Sequence, residues 1–225
     1  MSADFSNIKA IFFDTSDTLY KNEELEAAYP KKLVGLIADS RGISKDEAKQ
    51  LLSETTEKLK STEKHVTKVR AAAELGFSRP EVHEAFCQVR PSDYLVKDEA
   101  LDVVMSKLAQ RYKLGIISNL RKSHMLEVFD ALGLSSRWFP FFVTEDIVQE
   151  IKPAAEPFLK AIELAQCAAN ECLYIGDSPT KDMQPAKEVG MKTVLIADNP
   201  TDEDLLNADT SITSVKDIQN LLLPI

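Results

Sequence analysis

The sequence predicts an α/β fold: a doubly wound, Rossmann-like parallel sheet with an α-helical bundle inserted into it. Short apolar runs without strict alternation recur along the chain, as suits strands buried on both faces. Helical periodicities separate those runs, the texture of a parallel sheet covered by helices. Residues 21–90 break the rhythm, since they hold four helical patterns and no strand candidate.

The first strand is expected within Ile8–Phe13, where the apolar run ends against the polar stretch "DTSDT". In the insertion, Leu33, Leu36 and Ile37 mark one amphipathic helix, with a kink expected near Pro30. Ser44–Glu47 reads as a capping box opening a second helix, with Leu51, Leu52, Thr55 and Leu59 on one face. Val66, Val69 and Ala73 carry a third that stops at Gly76. Ser78–Glu81 opens a fourth, facing inward through Val82, Ala85, Phe86 and Val89. The expected division is therefore 1–19 with 91–225 as the α/β core, and 20–90 as a helical cap. Strands follow at Leu114–Ile117, Phe141–Val143, Leu173–Ile175 and Thr193–Ile196. Between them, Met125, Val128, Phe129 and Leu132 describe a helix closed by Gly133. Phe158, Ile162 and Ala165 describe another, and Pro185–Gly190 ends a third.

Composition narrows the function classes. The chain has 225 residues, enough for one large domain or a domain with an insertion, and 44% of them are apolar. A net charge of −9 excludes a general nucleic-acid binder, which needs a basic face. The cysteines (Cys87, Cys167, Cys172) show no CxxC spacing and sit among apolar neighbours, so they read as buried reduced thiols. "MSADFSNIKA" has neither the basic start nor the apolar centre of a signal peptide, and no run is long enough to span a bilayer. A soluble, cytoplasmic protein is expected, with no membrane or nucleic-acid partner; no protein partner is legible.

In open parallel sheets ligands bind at the carboxyl ends of the strands. Four such ends carry polar groups: Asp14; Ser118 and Asn119 in "GIISN"; Lys152 in "IKP"; and Asp177 and Asp182 in "YIGDSPTKD". A carboxylate here can attack phosphorus or carbon and form a covalent intermediate. Three converging carboxylates repel one another unless a hard cation such as Mg²⁺ lies among them. Lys152 offers a compact positive charge to the transferring group, and Ser118, through hydroxyl and backbone amide, offers hydrogen bonds to its oxygens. Each residue also has a structural reading. Asp14 and Asp17 suit turns, Lys152 suits a solvated loop, Asp182 suits a helix cap, and Asn119 suits loop support.

With four motifs in order, the chain resembles the haloacid dehalogenase-like hydrolases, in the form whose helical cap follows the first motif. The resemblance covers most of the chain and is densest between Leu114 and Ile196. It implies that Asp14 is nucleophile and magnesium ligand, and that the Ser16 carbonyl also meets the metal. It further implies Ser118, Asn119 and Lys152 around the phosphoryl group, and Asp177 and Asp182 as metal-binding acids. The substrate implied is a small phosphorylated molecule.

One position departs from that family. Its phosphatases usually read DxDGT or DxDDT, with the second Asp as general acid and base, whereas here Ser16 holds that place. Strand alternation turns Asp17 away from Asp14 unless the turn is irregular, so Asp17 is not read as its replacement. A lost general acid costs about 10²–10⁴-fold in rate, so a slow phosphatase is expected. Two other readings stand beside it: a 2-haloacid dehalogenase, whose halide leaves without a proton, and a degenerate member that binds a ligand or protein without turnover. Arg121 and Lys122 are candidates for a substrate anion, as are Tyr20, Lys21 and Asn22 near the hinge. His65, His83 and His124 share no ligand spacing. Trp138 and "FPFF" read as core.

Overall fold

The computed structural model describes residues 4–63 and 66–222. Contacts divide the chain into two compact units, Asn22–Leu95 and the remainder. His65 lies outside the described residues, as does the start of the N-terminal stretch.

The larger unit is built on a parallel sheet of six strands in the order β3-β2-β1-β4-β5-β6. These are β1 (Ala10–Phe13), β2 (Lys113–Ile117), β3 (Phe141–Val143), β4 (Cys172–Gly176), β5 (Lys192–Ile196) and β6 (Thr210–Ile212). β1, β2 and β4 are almost wholly buried, because helices cover both sheet faces; this is why their sequences lack alternation. Three connections set the topology. The chain runs outward from β1 to β2 to β3, then returns to place β4 on the other side of β1. The strand order reverses at β1 and β4, and there the carboxyl ends open a crevice.

β6 and the helix Glu99–Leu108 are absent from the elements expected above. β6 has three half-buried residues, too short for a periodicity to register. The π turn Pro179–Met183 and the helix Gln184–Glu188 together occupy the place where one helix ending at Gly190 was expected.

The Asn22–Leu95 unit consists of α1 (Glu23–Arg41), α2 (Lys45–Lys60), α3 (Lys68–Glu74) and α4 (Arg79–Phe86). α1 begins where the Asn22 side chain accepts a bond from Leu25 N–H at 2.9 Å, and it runs on through Pro30 as a single 19-residue helix. Both expected capping boxes form, at Ser44–Glu47 and Ser78–Glu81. The unit's core joins Leu25, Tyr29, Leu33 and Ile37 of α1 with Val82, Ala85 and Phe86 of α4; Tyr29 meets Phe86 edge-on, 5.7 Å between ring centroids. His83 is buried within this unit.

In the sheet unit, α5 (Glu99–Leu108), α6 (Lys122–Leu132), α7 (Glu156–Ala165), α8 (Gln184–Glu188) and α9 (Ile218–Leu222) provide the covering helices. α6 ends at Gly133, whose φ of 68° is the left-handed conformation that glycine adopts without strain.

Candidate active site

Asp14 is the first residue past β1, at the switch point. Its N–H donates to the carbonyl of Ile175 at 2.8 Å, so the backbone ladder to β4 continues one step beyond the strand and fixes the carboxylate against that strand's end. Asp177 follows β4 directly, and Asp182 lies in the π turn after it. One carboxylate oxygen from each of Asp14, Asp177 and Asp182 lies within 4.8 Å of the others. Sequence positions 14, 177 and 182 thus converge on one point.

The approach of Asp182 depends on Gly176. A Cβ there would lie 2.8 Å from Asp182 Cβ and Cγ, and Asp182 is fully buried and cannot retreat. Gly176→Ala is accordingly expected to cost about 1–3 kcal/mol as an overpacked site, read as a lowered melting temperature.

Lys152 arrives from the segment before α7, and Asn119 holds it there. The Asn119 amide donates to the Lys152 carbonyl at 3.0 Å and accepts from the Lys152 N–H at 2.9 Å. One N–H and the oxygen of that amide are thereby committed to the Lys152 backbone, so Asn119 supports the lysine loop. The Lys152 ammonium is buried and reaches Asp14 Oδ1 at 2.8 Å and Asp182 Oδ1 at 2.8 Å. It also donates to the Tyr174 hydroxyl at 2.9 Å.

These contacts set the charge states. Burial opposes the charged ammonium, but Asp14 and Asp182 override it and hold the Lys152 pKa above its ordinary value. Burial raises the Asp14 pKa; Lys152 opposes the rise and Asp182 reinforces it. Asp177 is pushed up to about 7, by burial first and then by the charges of Asp14 and Asp182. Three acids against one ammonium leave an excess of negative charge, the condition a hard dication corrects. Asp182 is more than a helix cap: its Oδ2 accepts from Ser178 N–H at 3.1 Å, while Oδ1 serves Lys152 and Tyr174.

Ser118 stands at the end of β2. Its N–H donates to the carbonyl of Val143 at 2.9 Å, extending the ladder to β3, so the backbone amide expected to bind phosphoryl oxygens is already used. The hydroxyl oxygen accepts from Thr15 Oγ1 at 2.9 Å and from Leu120 N–H at 3.3 Å. Both acceptor positions are thereby filled, which leaves the Ser118 proton to donate.

The "DTSDT" turn is irregular. Asp17 has a φ of 55°, a left-handed conformation that Asp tolerates better than most residues. Strict strand alternation therefore does not govern its direction, although Asp17 is not among the clustered acids. The Ser16 hydroxyl shares a 3.0 Å hydrogen bond with the Tyr20 hydroxyl, and a β-bridge joins the same two residues. Thr18 Oγ1 is buried without a hydrogen-bond partner among the described residues, an orphan of the kind a bound group satisfies.

The remaining candidates are engaged elsewhere. Arg121 pairs with Glu145 at 2.7 Å, and the Lys122 ammonium lies 5.0 Å over the Phe142 ring, so neither is arranged for a substrate anion. His124 is buried on α6, 3.3 Å from Glu127. Trp138 is only half-buried: its indole N–H donates to Asp102 at 2.8 Å, and Arg137 stacks 4.1 Å above its ring. Cys172 is buried, with its thiol pushed up to about 12 by that burial; Cys87 and Cys167 are half-exposed. Sequence reasoning passed over Tyr174 and Thr15. The available signal was a polar-tipped residue within or just beyond a run of fully buried apolar ones.

The chain is similar to known proteins over most of its length. Residues 11–196 match the family model described as haloacid dehalogenase-like hydrolase. The chain is 28% identical to a glyceraldehyde 3-phosphate phosphatase of Methanocaldococcus jannaschii, over 96% of this chain and 97% of that protein. It is 28% identical to the pyrophosphatase PpaX of Bacillus mycoides, over 55% of this chain and 65% of that one. The crystal structure of a HAD phosphatase from Thermococcus onnurineus superposes with a TM-score of 0.71 at 27% identity, covering 96% of this chain and 98% of that one. With the family model spanning every residue of the clustered site, the chain belongs to the haloacid dehalogenase-like hydrolases.

Proposed function

We propose that the chain is a magnesium-dependent phosphomonoesterase that acts on a small phosphorylated metabolite through an aspartyl-phosphate on Asp14. One observation carries this reading: a buried ammonium bridges two of three clustered carboxylates at the switch point. The cluster fits a hard cation, because its donors are all oxygens, and burial together with the charges of Asp14 and Asp182 lifts Asp177 to about 7. Asp14, Asp177, Asp182 and the Ser16 carbonyl would hold the ion. Bound there, Mg²⁺ would supply Lewis-acid neutralisation of the phosphoryl oxygens.

The chain's own residues supply the rest. Asp14 attacks phosphorus, the bond from phosphorus to the ester oxygen breaks, and the leaving oxygen takes up a proton from water. Lys152 compensates the charge on Asp14 and on the transferring group. The Ser118 proton, left free by Thr15 and Leu120, donates to a phosphoryl oxygen. Water then attacks the aspartyl-phosphate, releases phosphate and restores Asp14. Ser16 cannot shuttle protons as a carboxyl does, so leaving-group protonation and water activation are the slow events.

The full-length similarity to a glyceraldehyde 3-phosphate phosphatase makes triose phosphates the first substrates to test. Phosphate release should be measured with Mg²⁺ on a panel of sugar, triose and aryl phosphates and pyrophosphate. Release from at least one, abolished by chelation, is expected; none from any would overturn the reading. Halide release from 2-chloropropionate without metal would instead favour a dehalogenase. Metal binding also has a readout free of turnover. At about 100 times its dissociation constant a ligand adds about 2.7 kcal/mol. At about 2–4 °C per kcal/mol for this size, Mg²⁺ should raise the melting temperature by about 5–10 °C.

A further inference from the structure

Tyr174 sits in β4, and the chemistry above assigns it nothing. Its ring is fully buried and stands edge-on to Phe158, with centroids 5.0 Å apart. Phenylalanine would fill that space equally well. The hydroxyl, however, lies 2.9 Å from Lys152 Nζ and 3.0 Å from Asp182 Oδ1. A hydroxyl buried here costs free energy unless it is bonded, and this one is bonded on both sides.

An ammonium has three N–H donors on a flexible four-carbon stem. For Lys152 the three go to Asp14 Oδ1 at 2.8 Å, Asp182 Oδ1 at 2.8 Å and Tyr174 Oη at 2.9 Å. Two of these acceptors, Tyr174 and Asp182, are bonded to each other and belong to β4 and the turn that follows it. They form a fixed base, and fixing two N–H directions of a tetrahedral ammonium fixes the third. That third N–H points at the nucleophile. When Asp14 bonds to phosphorus its charge diminishes, and this is the N–H that can pass to a phosphoryl oxygen while the other two hold the lysine in place.

We propose that Tyr174 is a positioning residue: with Asp182 it aims the Lys152 ammonium at Asp14 and at the phosphoryl group transferred to it. The kinetic consequence rests on the phosphatase reading; the geometric one does not. Tyr174→Phe deletes the hydroxyl and keeps the ring. With a phosphate ester shown to be turned over, kcat should fall about tenfold while KM changes less than twofold. In a Lys152→Met background the same change should cost nothing further, because the group it positions is gone. A loss of rate as large in that background as in wild type would overturn the proposal, as would a kcat within twofold of wild type.

The ammonium itself gives a second measurement. A lysine whose three protons are all bonded and buried should give a slowly exchanging ¹⁵N–¹H ammonium signal, assigned by its absence from Lys152→Met. Tyr174→Phe should abolish or broaden it. Its unchanged persistence would overturn the positioning role even in a protein that releases no phosphate, a result that would separately overturn the phosphatase reading. Should Tyr174→Phe melt without cooperativity, Tyr174→Met removes the hydroxyl with a flexible apolar side chain that adapts to the gap, and the same outcomes apply.

Discussion

Asp14→Asn should abolish phosphate release, lowering kcat by about 10⁴-fold or more, the scale on which loss of a covalent nucleophile is felt. The carboxamide keeps the shape of the carboxylate but is too weak a nucleophile to form the acyl phosphate. It also removes one of the oxygens that cluster with Asp177 and Asp182. The fold should survive. Lys152 loses one charged partner but keeps Asp182 at 2.8 Å and Tyr174 at 2.9 Å. Removing one of three crowded acids also relieves part of the repulsion that raises Asp177. Thermal melting within a few degrees of wild type, alongside lost turnover, is the expected pair of results. Substantial turnover in the variant would move the nucleophile elsewhere.

Ser16→Asp should act in the opposite direction. Supplying a general acid and base is worth about 10²–10⁴-fold. A gain near the lower end, about 10²-fold, is expected, because the present hydroxyl is held by Tyr20 at 3.0 Å and the turn is not shaped around a carboxyl. In barrier terms that is about 2.7 kcal/mol, at about 1.36 kcal/mol per decade. The leaving group sharpens the test. An alkyl phosphate leaves as a strongly basic alkoxide and needs the proton, whereas an activated aryl phosphate scarcely does. The gain should therefore be larger for alkyl esters, read as the ratio of kcat/KM between the two substrate types. An equal gain on both, or none, would show that another group already serves as the acid.

Much of the fold was legible because burial leaves a simple signature. The buried runs around Phe12, Ile116, Ile175 and Val194 marked their strands, and the serines before α2 and α4 marked both capping boxes. β6 was not legible, since three half-buried residues carry no period. In the site, strand ends led to Asp14, Ser118, Lys152, Asp177 and Asp182, because the chain must place polar groups where the sheet stops. What pattern could not reveal is how each group spends its hydrogen bonds. Ser118 N–H looked available until β3 was seen to claim it, and the loop support expected of Asn119 takes the form of two bonds to the Lys152 backbone. Tyr174 escaped because an aromatic in a buried strand reads as packing, and only the position of its oxygen shows otherwise. The direction of Asp17 escaped for a different reason: alternation presumes an extended backbone, which its φ of 55° violates.

Ser16 also makes the chemistry directly observable. If dephosphorylation lacks an efficient base, the aspartyl-phosphate should accumulate during turnover. Wild-type protein mixed with Mg²⁺ and an activated aryl phosphate, then quenched in acid within the first turnovers, should carry one added phosphoryl group by intact mass. Peptide mapping should place it on Asp14, and Asp14→Asn should carry none. A protein that releases phosphate steadily with no phosphoryl group on Asp14 at any quench time, or with one on another residue, would contradict the assignment of Asp14 as nucleophile.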